Sequence, residues 1–497
     1  MEQRLLFRRQ FILSTNSAYC FEDWNNVNLD SSVYLSVHPD LEVTQSCSNG
    51  ISLILLGFVL DPFSPQKTNQ EILSDVINQS FCFADVVNKT EPLGGRWALI
   101  YKDKNSLNVL HDPCGQRQVY FYQDKIDILC GSDPAILNHF TKLKRDDSPA
   151  LQEFINSPKF KKRENAWIGD GTMFIGVKHL IPNHYLDFKN VKSVRFWPNI
   201  ALKKIDIEQG INLSSEILKG TLKAANNRWK LVLAVTAGWD SRVLLAASKE
   251  IHKDVTYFVN ISKKEDKNVP DARIPSRLFK QLGIPFKIQV CNTQIDSEFE
   301  KTLRNNLSLA RTDMPKTKHI YKNYLDFSGM VSINGNASEI AKLITRPPFP
   351  IKLNGTQVSN MPYFGYKGLS YAASEFDKWI NEISSVCNDF NVDIFDMLYW
   401  EQRMGNWGAQ YPAEQDIAIE QLSPYNNRLL LRTMLSVDEK YRTPPKYWLQ
   451  YKIMQKLWPE TLLQPLGVQP LKVKTRYVLR FLVTKATRTF HFKAFAQ

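Results

Sequence analysis

The residues from Leu231 to Arg242 read Leu-Val-Leu-Ala-Val-Thr-Ala-Gly-Trp-Asp-Ser-Arg, and no other stretch limits the fold of this chain as tightly. Five apolar residues, Leu231 to Val235, predict a short buried strand. Thr236-Ala237-Gly238 form a tight turn of small residues. Asp240 and Ser241 then open a helix whose apolar positions Val243, Leu244, Ala246 and Ala247 face a core. Such a strand, loop and helix N-terminus aim N–H groups and a helix dipole at one spot, which a phosphate reaches only past small side chains. Asp240 would repel that phosphate unless Mg2+ bridges the two. The alternative is an ordinary strand-to-helix turn, with Ser241 as N-cap and Asp240 favouring the dipole. The stretch has neither the Gly-Lys-Ser/Thr of a Walker A loop nor a Gly-x-Gly-x-x-Gly fingerprint.

A chain of 497 residues is too long for one core, which predicts two domains. Seven scattered cysteines without a Cys-x-x-Cys pair argue against a disulfide framework, a structural zinc site and a thioredoxin-type centre. The apolar run Ile51–Leu60 is about half of a membrane-spanning helix. Glu2, Arg4, Arg8 and Arg9 interrupt the N-terminus, so no signal peptide is expected and the cytoplasm is the expected location. Of the net charge of +13, seven positive charges (Lys472, Lys474, Arg476, Arg480, Lys485, Arg488 and Lys493) fall in a final stretch without Asp or Glu. With Tyr477, Phe481, Phe490 and Phe495, residues 471–497 are either a tail that touches anionic lipid or nucleic acid, or a solvated terminal segment. The rest is near neutral, so charge alone does not argue for a nucleic-acid partner.

Residues 1–200 alternate short apolar runs with turn signals, which predicts a sheet-rich domain. A first strand is expected over Leu5–Leu13, another over Ile51–Leu56, a loop over Gly57–Asn69 and a helix over Glu71–Val87. Trp97–Tyr101, Leu107–Leu110, Val119–Tyr122 and Ile126–Leu129 follow at hairpin spacing. Over 205–470 the pattern turns to strand–helix alternation and predicts a parallel, doubly wound sheet. Its pieces are a helix over Asp206–Ala225, strands Val255–Asn260, Phe286–Val290 and Met330–Ile333, and a helix Ile274–Leu282 closed by Gly283. Asp271 ahead of that helix is either a cap or an acid near a nucleotide.

Thr236-Ala237-Gly238-Trp239-Asp240-Ser241 resembles the pyrophosphate loop Ser-Gly-Gly-x-Asp-Ser of the N-type ATP pyrophosphatases. Ser332-Ile333-Asn334-Gly335-Asn336-Ala337-Ser338-Glu339-Ile340 resembles the Ser-Gly-x-Gly-x-Asp-Glu loop of the asparagine synthetase family, with Gly335 at the first glycine and Glu339 at the aspartate. Glu420 to Leu430 resembles its Glu-x-Arg-x-Pro-Phe-Leu-Asp-x-x-Leu, with Asn427 where an Asp is usual. Lys446-Tyr447-Trp448-Leu449-Gln450 stands near its Lys-Tyr-x-Leu-Arg. In the first domain, Leu93–Tyr101, His111–Arg117, Tyr120-Phe121 and Gly131–Pro134 are similar to its glutaminase domain. There the family places a nucleophilic cysteine directly after the initiator Met; this chain has Glu2, and a carboxylate cannot replace a thiolate.

The resemblance implies an α+β Ntn-hydrolase-like sandwich that does not hydrolyse glutamine. A PP-loop (adenine nucleotide alpha hydrolase-like) α/β domain would follow it. It implies an AMP-forming, ATP-dependent ligase with ATP and Mg2+ as cofactors. Val235, the loop Thr236–Ser241, Val259 and Gly335 would hold the nucleotide, and Asp240 and Glu339 the Mg2+. Lys446 would neutralise charge in adenylation, with Lys452 as competitor, and Glu420 would join it in catalysis. The partners would be a small carboxylate and ammonia or an amine on the substrate, as in β-lactam synthetases and lasso-peptide cyclases. A non-catalytic scaffold and a tRNA-modifying PP-loop enzyme are the alternatives. Tyr399, Trp400 and Trp407 are expected in a core.

Overall fold

In the strand Ile51–Leu60, residues facing opposite ways are buried on both sides, and this fixes the layering of the first domain. Leu53 and Leu55 pack under the helices Asn69–Asn78 and Phe83–Lys89 with Ile72, Leu73, Val76 and Val86. Ile54 and Leu56 face a second sheet that supplies Phe11, Leu13, Leu35 and Phe121. The computed structural model describes residues 2–30, 32–312, 314–343 and 353–467; the basic stretch 471–497 lies outside them. One six-stranded sheet runs Lys178–His179, Tyr120–Asp124, Asp127–Gly131, Phe11–Ser14, Val33–Val37, Asn25–Asp30. The other runs Lys192–Arg195, His184–Asp187, Leu107–His111, Gly94–Lys102, Ile51–Leu60, Val43–Ser48. Neighbouring strands are antiparallel throughout, giving a sandwich.

Three expectations for this domain are corrected. The first strand is Phe11–Ser14, not Leu5–Leu13: Glu2–Leu5 is helical, and the chain turns through positive φ at Phe7 and Arg9. The side chains of Arg8 and Arg9 are both drawn to the second domain, at Ile417 O and Glu420, which the alternation of a strand would forbid. The helix expected over Glu71–Val87 is two helices, because Asp85 accepts from the Phe81 and Cys82 N–H groups and starts a new N-terminus. The loop expected from Gly57 begins only after Leu60.

In the second domain, β1 (Lys230–Ala234), β2 (Val255–Ile261), β3 (Lys287–Val290), β4 (Met330–Ile333) and β5 (Glu420–Leu422) form one parallel sheet in the order β3-β2-β1-β4-β5. Leu231 and Leu233 of β1 face one cluster with Val243 and Leu244, while Val232 faces another with Phe258 and Ile320. Burial on both faces is what a doubly wound sheet requires. The helix preceding β1 is Ile207–Asn226, capped by Asp206. It approaches the sandwich so closely that a Cβ on Gly220 would lie 1.9 Å from Pro62 O, so a mid-helix glycine is needed there. No helix among the described residues is long and apolar enough to cross a membrane.

The domains share one core, in which Ile12, Phe58 and Leu129 join Leu231 and Val243. Polar contacts fix their register. Asp112 accepts from the N–H groups of Trp97, Cys114, Gln116 and Arg117 and from Asn426 Nδ2 at 2.7 Å. Asn427 donates to Pro92 O at 2.6 Å while capping the helix Arg428–Ser436. Arg96 forks onto both Asp416 oxygens at 2.6 and 2.7 Å and also reaches Glu420 at 2.8 Å. Arg117 and Arg9 hold Glu420 at 3.1 Å each. Burial by itself would raise the Glu420 carboxyl, but Arg117, Arg96 and Arg9 outweigh it and hold it at about 2.

A group with a depressed folded pKa stabilises above its unfolded value, and that contribution is lost as the pH falls. Acid titration followed by circular dichroism should therefore show stability declining from about pH 4.3, the ordinary Glu value, towards 2. Arg96→Met, which removes the fork on Asp416 and leaves Glu420 to Arg117 and Arg9, should cost about 3–5 kcal/mol in urea unfolding.

Candidate active site

The helix after β1, Trp239–Ala247, starts at the N-cap Gly238 rather than at Ser241. Ser241 instead staples the loop: its Oγ accepts from Thr236 N–H at 3.0 Å and lies 3.1 Å from Thr236 Oγ1. Gly238 N–H donates to Thr236 Oγ1 at 3.1 Å, and Ala237 N–H donates to Asp271 Oδ1 at 3.2 Å. Asp271 lies in the first turn of the helix Pro270–Leu282 and reaches the loop, while Val269 takes the cap position. Gly467 N–H, near the end of the described chain, donates to Ala237 O at 2.9 Å. Three of the six N–H groups expected to cradle a phosphate are thus used within the protein. Those of Trp239, Asp240 and Ser241 lie in the first helical turn, where no intrahelical acceptor exists.

The loop after β4 meets this one directly. A Cβ on Gly335 would lie 2.7 Å from Asp240 Cβ, so only glycine fits between the loops. Asn334 braces the turn, donating through Nδ2 to Gln421 Oε1 at 2.9 Å and through its N–H to Leu422 O at 3.0 Å. A 3-10 turn, Ser338–Ala341, follows and carries Glu339.

Each of the two acids has an internal partner. Asp240 is paired with Lys342, whose side chain is only 5% exposed. The Lys342 ammonium also lies 5.5 Å from the Tyr447 ring centroid, and Tyr447 packs edge-on to Trp239. Glu339 accepts from the Tyr399 hydroxyl, which accepts from Tyr363 OH at 2.6 Å. Burial, and then the Glu339 charge, pushes the Tyr399 hydroxyl well up, so it stays a donor. Among the described residues, the Ser338 and Tyr425 hydroxyls and the Asn336 amide nitrogen are buried without a hydrogen-bond partner. The Tyr425 hydroxyl is pushed up by burial and then by Asp240. This set of ammonium, amide and hydroxyl donors fits the oxygens of a polyphosphate. It does not fit the expected Mg2+ on Asp240 and Glu339. One oxygen of each acid is already committed within the protein, Asp240 to Lys342 and Glu339 to Tyr399.

The remaining expected residues divide. Val235 is fully buried at the start of the loop, and its N–H donates to Phe258 O at 2.9 Å. The Val259 side chain packs with Ile261 and Ala272 inside β2. Glu420 is not brought to the loops: it opens β5, and its oxygens are taken by the interdomain arginines. Lys446 is exposed, with Nζ 5.2 Å from the Trp448 ring centroid, and Lys452 donates to Gln455 at 3.0 Å along the helix Trp448–Leu457. The lysine at the loops is Lys342, which carried no sequence signal. Trp400 is core, its Nε1 donating to Pro113 O at 2.8 Å. Tyr399 is buried too, but an eleven-residue π-helix, Leu398–Gly408, turns its hydroxyl to Glu339. Trp407 is partly exposed, under the Arg403 guanidinium at 4.0 Å.

Gly335→Ala should force the two loops apart. The expected cost is about 1–3 kcal/mol in chemical denaturation, the usual price of overpacking.

No protein-family model matches the chain, and no curated protein matches it in sequence. Among solved structures, it is similar to a glutamine phosphoribosylpyrophosphate (PRPP) amidotransferase from B. subtilis complexed with ADP and GMP. That alignment has 12% identity, covers 67% of this chain and 70% of the other, and has a TM-score of 0.24. A structure of the allosteric regulatory enzyme of purine biosynthesis aligns at 12% identity over 63% of this chain and 75% of that one, with a TM-score of 0.25. Superposition at these scores bears on neither the fold nor the function of this chain.

Proposed function

We propose that this chain is an ATP-dependent, AMP-forming ligase that adenylates a small-molecule carboxylate and transfers the acyl group to ammonia or to an amine on the substrate. The contact between the Asp240 and Gly335 loops carries this reading. It lies at the carboxyl ends of β1 and β4, where the sheet order reverses and nucleotides bind in open α/β sheets. First-turn N–H groups of Trp239, Asp240 and Ser241, with the Lys342 ammonium, would take the polyphosphate oxygens. A substrate carboxylate oxygen would attack the α-phosphorus, releasing pyrophosphate and leaving an acyl-adenylate. A nitrogen nucleophile would then displace AMP. Lys342 is better placed than the exposed Lys446 to meet charge developing on the phosphates.

The Lys342–Asp240 pair supports a second reading, a scaffold that binds a nucleotide without reacting it. ATP–pyrophosphate exchange across a panel of carboxylates separates the two. A ligase should show exchange with one of them and lose it by about 100-fold or more in Lys342→Gln. ATP binding without exchange on any carboxylate would favour the scaffold.

A further inference from the structure

We infer that Lys342 is the resident cation of this site, so that the polyphosphate of a nucleotide is bound without a divalent metal. The inference rests on the nucleotide reading above and concerns what neutralises the phosphates.

Lys342 is paired with the acid that a bridging metal would need, and its side chain is 5% exposed. Its place is set from both sides along the chain. Arg442 Nη1 donates to Ala341 O at 3.4 Å, and Leu343 N–H donates to Arg442 O at 3.4 Å. Arg442 is itself fully buried against Asp396 at 3.0 Å. The ammonium therefore sits on a braced segment rather than at the end of a solvated arm. It has three N–H donors, one of them directed at Asp240 and the Tyr447 ring close by. Donors remain for phosphate oxygens, beside the orphaned Ser338 and Tyr425 hydroxyls and the Asn336 amide.

A divalent ion on Asp240 would have to share one carboxylate with this ammonium, and the two cations would repel each other. Glu339 compensates poorly as a second ligand, since one of its oxygens already takes the Tyr399 hydroxyl. The arrangement puts a fixed positive charge where the resemblance expects an exchangeable one. A lysine suits this role because its ammonium is a compact point charge, whereas a guanidinium would need a planar, bidentate acceptor.

Isothermal titration of the full chain with ATP, in Mg2+ or in EDTA at matched ionic strength, tests this directly. The dissociation constant should differ by less than about threefold between the two buffers, and Lys342→Gln should weaken binding in EDTA at least about tenfold. Added Mg2+ should restore part of the lost affinity in Lys342→Gln, since Asp240 is then released to a metal. A lysine with only a structural role would leave the metal dependence of binding unchanged. Asp240→Asn/Lys342→Gln keeps the charge balanced if the single variant does not fold, and should weaken binding in EDTA to the same extent. Wild-type binding that collapses tenfold or more in EDTA overturns the inference and leaves the nucleotide site standing. So does Lys342→Gln binding like wild type in EDTA. ATP binding in neither buffer overturns the nucleotide site itself, and this inference with it.

Discussion

Neighbouring parallel strands whose following connections leave towards opposite faces of the sheet open a crevice at their carboxyl ends. In this chain β1 and β4 are the neighbouring strands at which the order reverses, and the Asp240 and Gly335 loops follow their carboxyl ends. The loops touch, and only the missing side chain of Gly335 lets them. Asp240 reaches Lys342 across that contact, Ser423 donates to Asn336 O behind it, and the segment ending at Gly467 bonds to Ala237 O on the far side.

The first domain acts as the anvil for this arrangement. β5, the strand next to β4, is only three residues long, and its surroundings are held by the sandwich. Glu420 is gripped by Arg9, Arg96 and Arg117, Asn426 donates to Gly95 O and the Asp112 carboxylate, and Asn427 donates to Pro92 O. The stretch from Glu420 to Leu430 is therefore a joint between domains. A buried multi-arginine cluster of this kind adds specificity of register more readily than stability, because the desolvation of each charge offsets much of its Coulomb gain. The sandwich sets the position of β5, and β5 braces Asn334 and the loop that carries Gly335.

Much of the frame was legible from local pattern. The helix expected over Asp206–Ala225 is Ile207–Asn226, the strand over Val255–Asn260 is Val255–Ile261, and Gly283 ends its helix at a φ of 68°. These elements follow from apolar periodicity and from cap and stop residues, which act over a few positions. The failures share one cause. Leu5–Leu13 has the composition of a strand, yet Arg8 and Arg9 are claimed by residues some 400 positions away. Glu71–Val87 has helical periodicity, but the Asp85 cap interrupts it. Lys446 lies where a family pattern puts a lysine, while the ammonium that enters the site comes from Lys342, in a stretch without periodicity or motif.

Local pattern alone sets the order of buried strand, small-residue loop and helix at Leu231–Arg242. A second strand and small loop recur at Met330–Glu339. Both are short-range facts, written in side-chain size, apolar spacing and the positions that tolerate a tight turn. Which charges meet is a property of the folded chain: Lys342 with Asp240, Tyr399 with Glu339, and Glu420 withdrawn to the arginines of the other domain. A charge is satisfied by whatever lies within a few ångströms of it, and the chain order does not record that distance.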